Sequence, residues 1–189
     1  MRSITMTAAI LTVTLTLAAC GSPESEEAPA EDTAATETAT PAAMSAVATL
    51  QTADGQPAGT ATATASGDQV QIALSVQNMT PGEHGVHVHM TGACDAPKFT
   101  TAGGHWNPSE QMHGLEDPEG QHAGDMPNLV VAEDGTGSLE YTLAGGATFE
   151  GMMDADGSAF VVHAMRDDQM TDPSGDSGDR LACGVFQAS

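Results

Sequence analysis

The chain has 189 residues, of which 26 are acidic and four are basic, so its formal net charge is −22 at neutral pH. This charge excludes nucleic acid as a partner, because phosphate backbones are bound through clustered lysine and arginine. It also excludes attachment to an anionic membrane surface through a basic patch. The length suits one compact domain with appendages.

The first residues are typical of a bacterial export signal. Arg2 provides a positive end, and residues 8–19 form an apolar, threonine-rich stretch that is too short to span a bilayer. The stretch ends in LAACG at residues 17–21, which is similar to the lipobox of bacterial lipoproteins, whose cysteine is lipidated and becomes the new N-terminus. We therefore predict a signal peptide over residues 1–19 and a lipidated Cys20. An ordinary signal peptide with an incidental Cys20 is the alternative.

The composition of the next segment predicts a flexible tether. Residues 21–43 are mainly Ala, Thr, Pro and Glu, with six acids, no base and no aromatic residue. Such a segment buries too little apolar surface to offset the entropy lost on ordering. We predict a lipidated, disordered acidic tether over residues 20–43 and a folded domain over residues 44–189. That domain carries 20 acidic and three basic residues, a net charge of −17, so we expect membrane association only through the lipid on Cys20.

Two cysteines remain in the predicted domain, Cys94 and Cys183. In an exported chain, two cysteines are most simply explained by a disulfide. Two free thiols are the alternative, which an oxidising compartment disfavours.

The pattern of apolar residues in the domain predicts antiparallel β-structure. Short alternating runs are separated by Gly, Asp, Asn and Pro, and no helical periodicity interrupts them. Val70, Ile72, Leu74 and Val76 are spaced by two and are expected to share one buried face. The predicted strands cover residues 44–52, 60–65, 70–76, 85–90, 129–132, 139–143, 159–165 and 181–186. About eight strands in a domain of this size indicate a sandwich or a closed barrel.

Two segments lack strand pattern, residues 91–127 and residues 166–179. Long irregular segments in a compact domain are usually functional or disordered. The first contains four candidate metal ligands, and a bound metal explains how it is ordered without a core of its own.

The strand residues His87, His89 and His163 predict a copper site. His87 and His89 are two residues apart, so both point to one face, while Val86 and Val88 point to the other. His163 lies in a second strand and faces away from its apolar neighbours. A lone strand histidine is more often structural, but this set favours a nitrogen-rich metal site of the kind that suits copper.

The long segment that follows predicts a zinc site. His113, His122 and Asp125, together with His105, form a set of four ligands that suits tetrahedral zinc. His105 is able to face either metal, and it serves both only if its ring loses its second proton and becomes an imidazolate bridge. Surface histidines in an acidic loop are the alternative, which leaves the strand pair unexplained.

Four motifs resemble those of the copper/zinc superoxide dismutases, over residues 44–189. The run GEHGVHVH at residues 82–89 is similar to the copper-binding strand of that family. GHWNP at residues 104–108, HG at 113–114 and HAGD at 122–125, followed by Asn128, resemble its zinc loop. VVH at residues 161–163 with Asp167 and Asp168, and GDRLACGV at residues 178–185, resemble its C-terminal motifs.

The resemblance implies a role for each of these residues. Copper ligands would be His87, His89, His105 and His163, and zinc ligands would be His105, His113, His122 and Asp125. Asp167 would hydrogen-bond to ligands of both metals, Cys94 and Cys183 would form the family disulfide, and Arg180 would stand beside copper. His105 and Arg180 would be the catalytic residues. The implied fold is all-β, an eight-stranded Greek-key β-barrel with two long functional loops.

The implied function is an exported, lipid-anchored superoxide dismutase with copper and zinc as cofactors. It would act on superoxide at the periplasmic or cell-surface side of a bacterial membrane, as a monomer or a homodimer. A non-catalytic metal-binding lipoprotein on the same scaffold and a β-sandwich adhesion module are the alternatives. The segment 168–179 lacks the lysines that many family members carry there, so we expect weaker attraction of the substrate anion.

Nine methionines follow residue 43, several of them near the predicted ligands. Thioethers favour Cu(I), so a role in copper loading is conceivable. Adaptable packing in a chain poor in aromatic residues is the favoured interpretation. His84 is the one histidine outside both ligand sets, and we expect it to be structural.

Overall fold

The structure is a computed structural model of the chain, and it describes residues 44–189. The predicted signal peptide over residues 1–19, the lipidated Cys20 and the tether over residues 20–43 lie outside the described residues and stay predictions. Within residues 44–189, no helix combines the length and the hydrophobicity needed to cross a membrane.

The described residues form nine antiparallel strands and very little helix. The strands are β1 Ser45–Thr52, β2 Pro57–Ser66, β3 Gln69–Val76, β4 Gly82–His84, β5 Val86–His89, β6 Leu129–Val131, β7 Gly137–Thr142, β8 Ala159–His163 and β9 Arg180–Ala188. A four-residue helix, α1 Phe149–Met152, and a short 3-10 helix, Thr100–Ala102, are the helical elements of this part of the chain. The prediction of an all-β fold is confirmed, with one strand more than the eight expected.

The extra strand arises where one extended segment is divided at Gly85. The sheet order is β4-β6-β7-β3-β2-β1-β9-β8-β5, so β4 and β5 lie at its two ends although only Gly85 separates them in sequence. The chain from residue 82 to residue 89 therefore joins the two ends and brings the sheet close to a complete barrel. Strands β3, β4, β6 and β7 have the spatial order of a Greek key, because β3 lies beside β7.

The barrel interior is filled by small and medium apolar side chains. Strand β3 alternates without exception between exposed and buried residues, and its buried face contains Val70, Ile72, Leu74 and Val76 as predicted. Alanines of β1 and β2 are buried opposite larger residues such as Phe160 and Phe186, whose rings meet edge to face at 6.3 Å. The core therefore needs few aromatic residues.

Two long loops leave the barrel, and backbone hydrogen bonds attach the first of them to β5. Trp106 N donates to Val88 O at 2.9 Å, and Val88 N donates to Gly124 O at 3.0 Å. A β-carbon at Gly124 would lie 2.2 Å from Val88 O, so only glycine permits this approach. The loop is thereby held directly against the strand that carries His87 and His89.

A disulfide and a small apolar cluster fasten the same loop at its beginning. Cys94 and Cys183 are bonded, which confirms the predicted disulfide and joins the loop to β9 across 89 residues of sequence. Phe99 and Ala102 pack with Val161 in a second apolar cluster outside the main core. The backbone near residue 103 is therefore anchored although it contains no strand.

Candidate metal centre

Strands β5 and β8 present the first group of histidines. His87 and His89 lie on β5 with their rings away from the valine-lined core, and His163 ends the neighbouring strand β8. His105 is held beside them by a β-bridge with His89. The loop covers the rings, so their exposures are only 0 % for His87, 1 % for His89, 3 % for His163 and 8 % for His105.

These four imidazoles place their nitrogens around one point. One ring nitrogen from each of them lies within 4.8 Å of the others. His89 Nε2 and His163 Nε2 are 3.3 Å apart. Ligands at the usual distances around a tetrahedral ion are separated by about 3.3 Å.

Two atoms of this group have an unmet hydrogen-bonding capacity. His87 Nδ1 and His105 Nε2 are buried without a hydrogen-bond partner among the described residues. Buried polar atoms are normally paired, and an unpaired one calls for an explanation. A metal ion with four imidazole ligands supplies that explanation, and copper suits such a nitrogen donor set.

A second group gathers around the carboxylate of Asp125. The Nδ1 atoms of His105, His113 and His122 lie 2.9, 3.1 and 3.4 Å from Asp125 Oδ1. His113 Nδ1 is close to the carboxylate but is not aligned for a hydrogen bond. Three nitrogens and one oxygen within 4.8 Å of one another fit a closed tetrahedral zinc site.

His105 belongs to both groups. Its Nδ1 faces Asp125, whereas its partnerless Nε2 is the nitrogen that is left for the first group. Its ring stacks on that of His87, with the centroids 3.8 Å apart. The structure therefore brings together all seven predicted ligands. The ring that was expected to be shared, that of His105, lies between the two groups.

Asp167 connects the outer nitrogens of the two groups. Its Oδ2 lies 2.6 Å from His87 Nε2, and its Oδ1 lies 3.1 Å from His113 Nε2. The backbone of Asp167 is itself held by Asn128, which accepts from Asp167 N and donates to Asp167 O, both at 2.8 Å. With its outer nitrogen donating to a carboxylate, each ring is left with its Nδ1 lone pair free for a metal.

Backbone carbonyls orient the other two strand histidines. His89 Nδ1 donates to Gly103 O at 3.0 Å, and His163 Nδ1 donates to Gly178 O at 3.3 Å. Sequence reasoning did not assign a role to these carbonyls, because every residue has one and no side chain marks them. It also assigned no role to Asn128, although the residue lies within the zinc-loop motif, or to Asp172, whose Oδ1 is 3.7 Å from His122 Nε2.

Burial keeps the first group of rings neutral. Removal from water lowers the pKa of His87 and His89 well below the ordinary value of 6.5 and lowers that of His163 to about 4. The neighbouring ring of His105 adds to the shift in all three cases. Neutral imidazoles offer the lone pairs that metal binding requires.

The two buried carboxylates, Asp125 and Asp167, keep their negative charge. Burial raises the pKa of Asp125 and of Asp167, but hydrogen bonds from the surrounding histidines outweigh burial and hold both values below the ordinary one of 3.8. Burial likewise lowers the pKa of His113, but its close contacts with the two carboxylates raise it to about 9. A proton therefore stays at His113 in the absence of a cation, and a bound metal would replace it.

His84 lies outside both groups, as expected. It is buried in β4, and its ring nitrogens lie 2.7 Å from His163 O and 2.8 Å from Thr80 O. The ring therefore ties the end of β8 to the turn before β4.

Arg180 lines the cleft that leads to the first group. This cleft has a volume of about 450 Å³ and is lined by His105, His163 and Arg180 among others. The guanidinium donates to Phe99 O and Gly103 O, both at 2.6 Å. Among residues 44–189 it forms no ion pair with a carboxylate, although Asp172 lines the same cleft.

Comparisons with known proteins identify the family. A family model described as copper/zinc superoxide dismutase matches residues 57–186. A Cu-Zn superoxide dismutase of Caulobacter vibrioides is 39% identical over 149 residues, covering 76% of this chain and 86% of the relative. A SOD-like protein from Bacillus subtilis has a TM-score of 0.68 at 35% identity, covering 75% of this chain and 97% of that structure.

A third relative extends the similarity to a solved enzyme structure. The Cu/Zn superoxide dismutase from Brucella abortus has a TM-score of 0.61 at 28% identity, and the match covers 76% of this chain and 99% of that structure. These matches confirm the resemblance that the motifs indicated. The chain belongs to the copper/zinc superoxide dismutase family, a family of oxidoreductases with copper and zinc as cofactors.

Proposed function

We propose that this protein is an exported, lipid-anchored superoxide dismutase. The observation that carries the proposal is the shared position of His105, whose ring joins a group of four imidazoles to a group of three imidazoles and one carboxylate. In this proposal the four imidazoles form a redox site, and the three imidazoles with the carboxylate form a structural site. Because the two sites share one ligand, they act as a single centre for one-electron chemistry on a small anion.

The donor atoms assign each group to a metal. Copper would be held by His87 Nδ1 and His105 Nε2, which are buried without a hydrogen-bond partner among the described residues. The other two ligand atoms would be His89 Nε2 and His163 Nε2, which lie 3.3 Å apart. Zinc would be held by the Nδ1 atoms of His105, His113 and His122 and by Asp125 Oδ1.

The reaction converts two superoxide anions and two protons into dioxygen and hydrogen peroxide. When bound, copper supplies a one-electron couple that one superoxide reduces and the next oxidises, whereas zinc has no redox chemistry and serves structure. The protein must supply a position for the anion and a proton for the peroxide.

His105 is the residue placed to supply that proton. Its Nε2 is buried and has no partner among the described residues, while its Nδ1 is turned to Asp125. A ring held in this way can take up a proton at Nε2 and donate it into the cleft without moving its backbone. General acid catalysis requires such a group within hydrogen-bond reach of the product anion.

Arg180 is the residue placed to attract and orient the anion. The domain carries a net charge of −17, which repels superoxide at long range. Salt screens distant carboxylates beyond a Debye length of ~8 Å, so the local field at the cleft decides the approach. The guanidinium in the cleft lining provides that local positive charge.

Metal analysis of the purified protein, followed by a superoxide assay, tests the enzymatic part of this proposal. We expect about one copper and one zinc per chain, with dismutation that a copper chelator abolishes and added copper restores. Zinc alone, or copper without dismutation, would instead support a metal-binding lipoprotein. Absence of both metals would support an adhesion module.

Export and anchoring rest on the N-terminal sequence alone. The apolar stretch over residues 8–19 ends at Cys20, and the acidic segment that follows has the composition of a tether. Expression in a bacterium, cell fractionation and mass spectrometry of the mature N-terminus test this part. We expect a lipidated Cys20 in the membrane fraction and a soluble product for Cys20→Ser. Protein with an unmodified N-terminus, recovered outside the membrane fraction, would contradict the lipid anchor and leave the enzymatic proposal intact.

A further inference from the structure

Five methionines of the described residues are exposed, although methionine usually serves packing. The exposed fractions are 52 % for Met44, 52 % for Met90, 40 % for Met112, 53 % for Met165 and 45 % for Met170. Val130 is the one other large apolar residue exposed in residues 44–189. Met79, Met126 and Met152 are buried, so adaptable packing explains those three. Packing in the core does not account for the exposed ones.

One of the exposed methionines lines the cleft that leads to the four imidazoles, and two others pack on glycines in or beside its lining. Met112 lines the cleft itself, together with His105 and His163. Met90 follows the predicted copper ligand His89, and its side chain covers Gly103, where an added β-carbon would lie 2.8 Å from Met90 Cγ and 3.4 Å from Sδ.

Met165 packs on a second glycine, which belongs to the lining of the cleft. It covers Gly178, where an added β-carbon would lie 2.9 Å from Met165 Cε. Gly103 and Gly178 are the residues whose carbonyls hold the rings of His89 and His163. Met90 and Met165 are therefore packed directly on the backbone that orients two of the predicted copper ligands. We call Met90, Met112 and Met165 the thioether rim.

The chemistry of the thioether rim selects one oxidation state of copper. Thioether sulfur is a soft ligand that favours Cu(I), whereas carboxylates and water suit harder cations. The net charge of −17 also concentrates cations near the domain. We propose that the thioether rim is an acceptor site for Cu(I), which takes the ion from a donor and passes it to the four imidazoles.

The transfer is downhill and needs no electron. Bonds from Cu(I) to the donor break as bonds to the rim sulfurs form, and these are then replaced by bonds to imidazole nitrogens. His87 Nδ1 and His105 Nε2 are buried and partnerless among the described residues, so no hydrogen bond has to be broken before they bind. Four buried nitrogens hold the ion more tightly than exposed sulfurs do. The thioether rim therefore changes the rate of copper loading and not the final copper content.

Loading kinetics of the zinc-containing, copper-free full chain test the proposal. The probe is the Cu(I)–ferrozine complex, whose colour is lost as the protein takes copper. The variant is M90L/M112L/M165L, which keeps side-chain size and removes sulfur. We expect it to take up Cu(I) at least about tenfold more slowly than the wild type, with the same final copper content and the same rate with Cu(II).

Met44→Leu is the matched control, because Met44 is as exposed as Met90 and lies at the other end of the barrel. The start of β1 pairs with the end of β9, whereas Arg180 begins β9. Nine residues of strand span about 25–30 Å. We expect wild-type loading for this variant. Wild-type Cu(I) loading of the triple variant, equal slowing with Cu(II), or equal slowing in Met44→Leu would each overturn the proposal.

A second measurement uses the unaltered chain and does not depend on the stability of a variant. Silver(I) is a redox-inert substitute for Cu(I), and methionine labelled with carbon-13 at its methyl group reports its binding by NMR. We expect the methyl signals of Met90, Met112 and Met165 to shift when silver is added, while that of Met44 stays in place. Unshifted rim signals would contradict the proposal even if the kinetics agreed.

Discussion

Asp167 is the residue on which the two ligand groups depend jointly. Each carboxylate oxygen is used, Oδ2 by His87 and Oδ1 by both His113 and the backbone N–H of Gln169. The carboxyl is fully buried, and these donors keep it ionised by lowering its pKa. One side chain thus determines which nitrogen of two rings is free for a metal.

Replacing Asp167 with Asn should weaken zinc retention by about 10- to 100-fold, as loss of such outer hydrogen bonds usually does. The amide cannot accept from both rings through two charged oxygens, so His87 and His113 lose their fixed orientation. Zinc content measured against a competing chelator checks this. Asp168→Asn is the control, because within residues 44–189 the neighbouring carboxylate accepts hydrogen bonds only from Met170 and Thr171. Equal retention in both variants would contradict the assigned role of Asp167.

At the same scale, Arg180 supports the loop backbone and is the residue proposed to attract the anion. We expect Arg180→Ala to lower the dismutation rate by about tenfold or more and to weaken its dependence on salt, because the local positive field is lost. The rate measured from low to physiological ionic strength checks this at constant copper content. Arg166→Ala is the control, since in the part of the chain that the structure describes that exposed guanidinium forms an ion pair only with Glu83, at 3.5 Å. An unchanged rate and salt response in Arg180→Ala would argue against guidance of the substrate.

Among the elements, the segment that contains β4 and β5 has two functions. It joins the ends of the sheet, and it carries His87 and His89. The break at Gly85 lets these functions coexist, because Gly85 N donates to Met165 O and Gly85 O accepts from His163 N, both at 2.8 Å. The second long loop and the end of β8 are thereby fixed against the strand that carries His87 and His89.

A methyl group at Gly85 has no space. Its β-carbon would lie 2.8 Å from Ser177 Cβ, 3.1 Å from Asp167 Cβ and 3.3 Å from His87 Cε1. We expect Gly85→Ala to lower the free energy of unfolding by about 1–3 kcal/mol, the usual cost of overpacking, and to loosen metal retention because Asp167 must move. Denaturant unfolding checks the first effect. Gly104→Ala, where a β-carbon meets nothing within 4 Å, should unfold as the wild type does. Equal stability of the two variants would contradict this account.

For the whole molecule, the buried histidines make stability depend on pH when metals are removed. His163 has a folded pKa of about 4 against 6.5 in a model peptide, so its neutral form stabilises the fold above pH 6.5 and that contribution disappears as the pH falls toward 4. His87 and His89 act in the same direction. His113 acts oppositely, because its pKa is raised to about 9 and its contribution is lost as the pH rises through that value.

We therefore expect the metal-free protein to lose stability between about pH 6.5 and pH 4, with about 3 kcal/mol of the loss due to His163. Denaturant unfolding of chelator-treated protein at a series of pH values checks this. His163→Gln is the control, because glutamine does not titrate and should remove that share of the slope. A slope that is the same in both proteins would show that other groups cause the loss of stability.

Much of the fold and of the candidate site could be predicted before any coordinates, because the signals are local. Alternation identified the strand that contains Val70 and the strand that contains His87, since the period of a strand is visible in any short window. Residue type identified the candidate ligands, since imidazole and carboxylate are the side-chain groups that bind metal ions. The pairing of Cys94 with Cys183 followed from their number. The roles of the individual ligands stay a prediction, whereas their proximity is observed.

What the sequence determined by itself was therefore the set of components: an acidic all-β domain, its seven candidate ligand residues, and the family whose motifs they resemble. Tertiary structure alone decided how those components are arranged. It showed that the segment divided at Gly85 completes the sheet, that Arg180 is tied to two carbonyls instead of a carboxylate, and that Met90 is exposed beside the cleft. Each of these depends on which distant backbone lies within a few ångströms, and contacts between residues as far apart as 99 and 180 leave no trace in local composition.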